Sequence, residues 1–232
     1  MKRLSDVEAS KRSISHVGLN HIFLPELVEA MELRGYADKE KICSIGDKLD
    51  GIFVLVTGKI KVYTILPNGK TMLIRFAKPP SLIGDVEWMA DYPIQNIVES
   101  VGASSLLVIS RSLMLEMELN NPAFLRFMIQ TLSQKLYTLA HTSAMNQLYP
   151  VENRFASYLL SLLLDVEGND PAEEIRTSTL VETAEMLGTS YRHLNRVINR
   201  LVEDKVLERT RGRVRILNQP RLKELANDNL YT

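Results

Sequence analysis

The chain has 232 residues, 45% of them hydrophobic and 24% charged, with 28 Lys and Arg against 28 Asp and Glu. Such a chain is long enough for two globular domains and has none of the composition of a disordered one. A single cysteine, Cys43, excludes an internal disulfide and a thiolate-ligated cluster. No run of about 18 apolar residues is present to span a membrane, and residues 1–19 have no signal-peptide core, so a cytoplasmic location is expected.

Residues 1–20 read as a polar leader. From His21 to Arg34 the apolar Phe23, Leu24, Leu27, Val28, Met31 and Leu33 recur at helical spacing and predict short helices. From Ile42 to Arg111 glycines punctuate β-prone runs, among them Ile52–Val56, Lys59–Ile65, Met72–Phe76 and Leu106–Ile109. Lys59 to Val62 alternates polar and apolar with period two, and Asn68-Gly69 between two such runs signals a hairpin because both residues tolerate positive φ. Many short strands with regular turns predict a small barrel or sandwich over residues 21–121. Cys43, on what reads as a strand entering that barrel, is expected to be a buried, inert thiol rather than a redox switch.

Asn121-Pro122 opens a helix, with asparagine at the cap and proline in the first turn. It runs free of glycine and proline to about Gln147, roughly 39 Å at 1.5 Å per residue. Ile129, Leu132, Leu136, Leu139 and Ser143 are spaced three, four, three, four, a heptad seam that predicts homodimerisation. Leu125, Met128 and Tyr137 are candidates for packing on the chain's own barrel. The dimerisation helix is placed at residues 122–149.

Pro150 precedes a further amphipathic helix, Arg154–Asp165, opening a C-terminal domain over residues 150–232. Asp165, Glu167, Asp170, Glu173 and Glu174 then form an acidic run with no basic residue. It reads as an exposed loop, most simply solvated surface, with a polymerase contact as the alternative. Thr179 and Glu182 have the spacing of a capping box at the start of the next helix. Gly188-Thr189-Ser190 supplies a tight turn and a capping hydroxyl. The helix from Tyr191 to about Glu203 buries Leu194, Val197, Ile198 and Leu201. Val206–Leu217 alternates around Gly212 as a hairpin. The pattern is a winged helix-turn-helix.

Charge distribution carries the functional reading. Between Tyr191 and Arg215 eight basic residues face three acidic ones, a local excess of five in a neutral chain. Ser190, Tyr191, Arg192, Asn195, Arg196, Asn199 and Arg200 are candidate DNA contacts on the second helix, where arginine forks match guanine and asparagine matches adenine. Arg211 and Arg213 on the wing suit phosphates. A merely solubilising basic helix is the bland alternative. Double-stranded DNA is therefore the expected partner, and the chain is expected not to be an enzyme.

These features together resemble the cyclic-AMP receptor/fumarate-nitrate regulator (CRP/FNR) superfamily. The resemblance rests on Gly46-Asp47, Gly58, Gly69, Ile83-Gly84-Asp85, Asn153-Arg154-Phe155-Ala156 and the stretch from Glu182 to Arg196. Ser190-Tyr191-Arg192-His193-Leu194 is similar to its YeiL-like branch. The resemblance implies an α+β chain: an N-terminal cyclic-nucleotide-binding-type β jelly roll, a long dimerisation helix, and a C-terminal winged helix-turn-helix. It also implies that Arg196 takes the place of the family's base-contacting arginine and that Arg192 replaces its usual recognition glutamate. RNA polymerase is an expected partner.

The resemblance further implies where a ligand would sit, and the residues argue against the familiar ones. Cyclic-nucleotide binders of the family follow a glycine-glutamate pair with a phosphate-holding arginine. Here Gly84-Asp85 begins the segment, but Pro79–Ser110 contains no Lys, Arg or His and does contain Asp85, Glu87, Asp91 and Glu99. Four carboxylates oppose a buried phosphate. Leu139 and Ala140, which would meet the adenine, offer no side-chain hydrogen bond. Cyclic AMP is therefore not expected as cofactor, nor is the family's four-cysteine iron–sulfur cluster. His16, His21, His141 and His193 have no recognisable haem-ligand context, and no metal site is expected. A cupin-like enzyme would need clustered barrel histidines, yet none occurs between His21 and His141. The expectation is a DNA-binding regulator acting on a palindromic operator as a homodimer, modulated by an unidentified signal at the barrel. The alternative is a ligand-independent regulator set by abundance or by a protein partner.

Overall fold

The computed structural model describes residues 2–4, 7–48, 51–163, 174–176, 179–227 and 229–232. The chain packs as two compact units, one of residues 1–62 and 77–137, the other of residues 63–76 and 138–232. Residues 63–76 of the β-hairpin and the end of the long helix thus belong to the second unit.

The first unit begins with β1 (Lys2–Leu4) and α1 (Val7–His16), followed by α2 (Pro25–Glu29), β2 (Glu32–Tyr36), β3 (Lys41–Cys43) and β4 (Gly51–Ile65). After β5 (Thr71–Ala77) come β6 (Ser81–Ile83), α3 (Asp85–Ala90), β7 (Ile97–Ser110), α4 (Arg111–Asn120) and α5 (Pro122–Leu148). The sheet has the order β1-β2-β7-β4-β5, with β3 also on β7 and β6 also on β4. It is the jelly roll that the resemblance implies. Ile52–Val56 and Lys59–Ile65 form one long strand, bent where Gly58 takes φ +84°. A Cβ at Gly58 would stand 2.3 Å from the Ala103 carbonyl oxygen, so both backbone conformation and space require glycine there. The Asn68-Gly69 hairpin forms as expected: Gly69 has φ +77° and its N–H donates to the Leu66 carbonyl at 2.8 Å.

One reading of the N-terminal region is corrected and another is sharpened. Within residues 1–20, Lys2–Leu4 form β1 paired with β2, and Ile14 and Leu19 are buried in the core with Phe23, Val28, Leu107 and Phe124. Sparse apolar residues suffice because α1 needs only one stripe facing the barrel. The helical spacing through Arg34 also ends early. Met31 and Leu33 are buried, but Leu33 lies in β2, which pairs with β7, so sheet pairing overrides local periodicity. The helix α4 was not anticipated from the sequence; Ser110 caps it, its hydroxyl accepting from the Leu113 N–H.

The long helix begins where expected. Asn121 Oδ1 accepts from the Phe124 N–H at 3.0 Å, while its Nδ2 donates to the Ile22 carbonyl at 2.9 Å. Phe124 and Met128 are buried, whereas Ile129, Leu136 and Leu139 are exposed and Leu132 is half-buried. Tyr137, a candidate for packing on the barrel, is instead 74% exposed, on the side of the helix away from Met128.

The second unit contains the hairpin tip, the end of α5, α6 (Val151–Leu163), β8 (Glu174–Arg176), α7 (Leu180–Met186), α8 (Tyr191–Glu203), β9 (Leu207–Thr210), β10 (Arg213–Ile216) and α9 (Gln219–Ala226). Strands β8, β10 and β9 form a three-stranded antiparallel sheet in that order. Most of the acidic run at 165–174 lies outside the described residues. Its last member, Glu174, opens β8 opposite Arg215 rather than ending a loop.

Beyond α9 the chain returns into this unit. Tyr231 is fully buried. Its hydroxyl donates to Asn146 Oδ1 at 2.9 Å, its N–H to Ser161 Oγ at 2.8 Å, and its carbonyl accepts from the Phe76 N–H at 2.5 Å. The tail therefore ties hairpin tip, long helix and α6 together.

Candidate nucleic-acid interface

The helix-turn-helix is built by α7, the Gly188-Thr189-Ser190 turn and α8. Gly188 takes φ +61°, and Ser190 Oγ accepts from the His193 N–H at 3.1 Å, so the hydroxyl caps α8 as expected. The Thr179 hydroxyl does not make the cap bond that the capping box expects at α7. Thr179 has φ −92° and ψ −2°, already helical, and makes no side-chain cap hydrogen bond. A cap hydroxyl needs an extended backbone to reach the N3 amide. Here the Thr179 carbonyl instead accepts from Thr183 Oγ1 at 2.9 Å.

Two residues of the Asn153-Arg154-Phe155-Ala156 motif brace this arrangement. Asn153 Nδ2 donates to the Leu225 carbonyl at 2.7 Å, joining α6 to α9. Arg154 donates to the Tyr149 carbonyl through Nε at 3.2 Å, and through its guanidinium to the Leu187 carbonyl at the end of α7. Arg154 thereby fixes the end of the first helix beside the turn, and Phe155 and Ala156 are buried behind it.

On α8 the buried set is Leu194, Val197, Ile198 and Leu201, the four residues that the 3.6-residue period selects. Tyr191, Arg192, Arg196, Asn199 and Arg200 are exposed and Asn195 is half-buried. Arg200 Nη1 lies 3.5 Å from Glu152 Oε2; with Arg200 67% exposed, the pair is a weak restraint.

The wing is closed by the Leu217 and Asn218 N–H groups, which both donate to the Val206 carbonyl. Gly212 sits at its tip with φ +84°, and Arg211 and Arg213 are exposed there. Val214 and Ile175 pair across β10 and β8 and are both buried, anchoring the wing from its inner side. Arg209, on β9, was not singled out as a contact from the sequence. Its Nη1 donates to Asn195 Oδ1 at 2.7 Å and to Asn199 Oδ1 at 3.2 Å. Only the folding of β9 beside α8 could reveal that link.

The jelly roll's polar interior also differs from its sequence reading. Two of the four carboxylates in Pro79–Ser110 have cations brought to them from elsewhere in the chain. Lys61 Nζ lies 2.9 Å from Glu99 Oε1, with both side chains at most 10% exposed. Lys135, on α5, pairs with Asp85, which is fully buried at the start of α3, and also donates to the Leu82 carbonyl at 2.9 Å. Asp85 Oδ2 has no hydrogen-bond partner among the described residues. Neither cation lies in the Pro79–Ser110 segment itself; strand pairing and helix packing supply both over long sequence separations.

Cys43 is 6% exposed on β3. Burial pushes its thiol up to about 12, and the carboxylates of Glu87 and Asp47 act in the same direction. His21 and His141 have hydrogen-bond partners, the Gly18 carbonyl at 3.1 Å and Asn229 Oδ1 at 2.7 Å.

Comparison with known proteins agrees with this geometry. The cyclic nucleotide-binding domain family matches residues 33–121, and the Crp-like helix-turn-helix domain family matches residues 153–225. The regulatory protein YeiL of Escherichia coli O157:H7 is 29% identical over 213 residues, covering 92% of this chain and 94% of that protein. A probable transcriptional regulator of Lacticaseibacillus casei is 25% identical over 205 residues, covering 86% and 90% of the two chains. A solved CRP/FNR-family structure from Eubacterium rectale superposes with a TM-score of 0.73 at 14% identity, covering 94% of each chain. Matched domains in matched order, on a jelly roll followed by a long helix and a winged helix-turn-helix, show that the chain belongs to the CRP/FNR family of transcription regulators.

Proposed function

We propose that the chain binds a palindromic operator as a homodimer, each protomer laying α8 in the major groove. The observation that carries this is the partition of α8: four apolar residues buried, with Arg192, Arg196 and Asn199 outward. Ser190, Tyr191, Asn195 and Arg200 complete the helix's DNA face, with Arg196 the principal reader of guanine. Arg211 and Arg213 hold phosphates and set register. The dimer seam is Ile129, Leu132, Leu136, Leu139 and Ser143. Its support is that three of these apolar side chains are 48–69% exposed on one protomer, a stripe that a second copy would cover. The two α8 helices would then meet half-sites one helical turn apart, about 34 Å. The protein works in the cytoplasm, catalyses no reaction, and has RNA polymerase as its further partner.

A signal not yet identified acts at the jelly roll, and cyclic AMP is not that signal. Support comes from Asp85, a buried carboxylate at the beginning of the segment where the family's cyclic-nucleotide binders receive a phosphate, which already engages the Lys135 ammonium that a phosphate would need. A specific observation also favours the ligand-independent reading. Lys135 already joins α5 to β6 and α3 through Leu82 and Asp85, a connection internal to the protein that needs no ligand to form.

Binding-site selection with the full-length protein, followed by salt-dependent fluorescence anisotropy, tests the base-reading assignment. Arg196→Ala should lose about 1–3 kcal/mol on the selected site and most preference for a guanine in each half-site. Arg213→Ala should weaken all sequences alike and lower the salt slope by about one unit. Retention of full discrimination by Arg196→Ala, with its loss in Arg213→Ala, would reverse the roles of helix and wing.

A further inference from the structure

We propose that Arg209 determines which bases the recognition helix accepts, by holding Asn195 and Asn199 as hydrogen-bond donors toward the DNA. The inference rests on the reading of α8 as the recognition helix. Asn195 and Asn199 are four residues apart and so lie one above the other on the same helix edge. The Arg209 guanidinium reaches across from β9 and bonds both side-chain oxygens, at 2.7 and 3.2 Å.

The chemistry follows from what each group can offer. A guanidinium has five N–H donors and no acceptor, so only the amide oxygen of an asparagine can face it. Each amide then presents its NH2 away from Arg209. An asparagine reads adenine by accepting from N6 and donating to N7 together, which needs oxygen and nitrogen on one base edge. Forming that pair here would require rotating the amide off a charged donor. Charged donors make the stronger hydrogen bonds, and Asn195, half-buried against the helix, is shielded from competing water. The amide NH2 groups instead suit bases that show only acceptors where they are met, guanine through O6 and N7 and thymine through O4. The wing thus acts on sequence choice through α8, as a positioning element, beyond the phosphate contacts expected of wing arginines.

The test is parallel binding-site selection by the full-length wild type, Arg209→Ala and Arg209→Lys, with salt slopes measured on the selected sites. Arg209→Ala should shift the adenine-to-guanine preference at one or two positions of each half-site by about tenfold toward adenine. Arg209→Lys keeps the charge, and hence the salt slope, but its side chain ends one bond short of the Nη1 that donates to both amide oxygens, so it should shift the same positions. Adding Asn195→Ala to Arg209→Ala should abolish the new adenine preference at the base that Asn195 meets. Identical selected bases in all three proteins, with only a uniform loss of affinity in Arg209→Ala, would overturn the proposal and make Arg209 a phosphate contact. If Arg209→Ala binds no DNA, the Lys variant decides: shifted bases support the proposal and unshifted ones refute it. Failure of the wild type to select any sequence would instead refute the recognition-helix reading itself.

Discussion

Replacing Lys135 with methionine keeps most of the side chain's volume and removes its charge, which isolates the worth of the ion pair with Asp85. Asp85 is fully buried, and its Oδ2 has no hydrogen-bond partner among the described residues, so its carboxylate relies on the Lys135 ammonium. Removing one partner of a buried pair costs about 3–5 kcal/mol, because a charge is left without water or counter-charge. The reverse substitution, Asp85→Asn, should cost less, about 1–2 kcal/mol. The Lys135 side chain is 17% exposed; its ammonium keeps the Leu82 carbonyl and can still bond the new amide oxygen. The double variant leaves no charge buried and should therefore cost at least about 2 kcal/mol less than the two single changes added together. For a chain of this length Lys135→Met corresponds to a fall in Tm on the order of 10 °C. Urea denaturation at fixed pH and protein concentration, followed by the fluorescence of Trp88, is the assay. Trp88 is the chain's one tryptophan and lies on α3 beside Asp85, where it packs against the core. A cost below 1 kcal/mol for Lys135→Met, or strict additivity in the double variant, would refute the reasoning.

The remaining predictions address the seam, the thiol and the ligand. Leu136 is 69% exposed on the single chain, so Leu136→Glu should leave the protomer folded while burying a charge in the dimer; analytical ultracentrifugation should show monomers, and an intact dimer would place the interface elsewhere. Cys43, buried and with its thiol pushed up to about 12, should resist thiolate-selective alkylation at pH 8 in the native protein and react once the chain is unfolded. Rapid native labelling would contradict the assigned burial. Calorimetric titration with cyclic AMP should give no measurable heat of binding at physiological concentration, whereas micromolar affinity would mean that a phosphate is held by donors such as backbone N–H groups.

The sequence by itself carried the elements whose cause is local. The period of Leu194, Val197, Ile198 and Leu201 defined the buried face of α8, and with it the outward placement of Arg192, Arg196 and Asn199. Asn68-Gly69 determined a turn because few residues accept positive φ, and Asn121 with Pro122 determined where α5 begins because a cap acts within one turn. Tertiary structure decided what depends on residues distant in sequence. It drew Leu33 out of a helical pattern into a strand, since pairing with β7 outweighs a weak periodicity, and it buried a tail whose apolar Tyr231 has no patterned neighbours. It brought Lys61 to Glu99 and Lys135 to Asp85 across 38 and 50 positions, so a segment that reads as purely acidic is partly neutralised. It also set Arg209 against Asn195 and Asn199. Periodicity records which face of an element meets the core, but it holds no information on which side chain of another element arrives there; only packing supplies that, and in this protein both the jelly roll's charge balance and the reach of the wing depend on it.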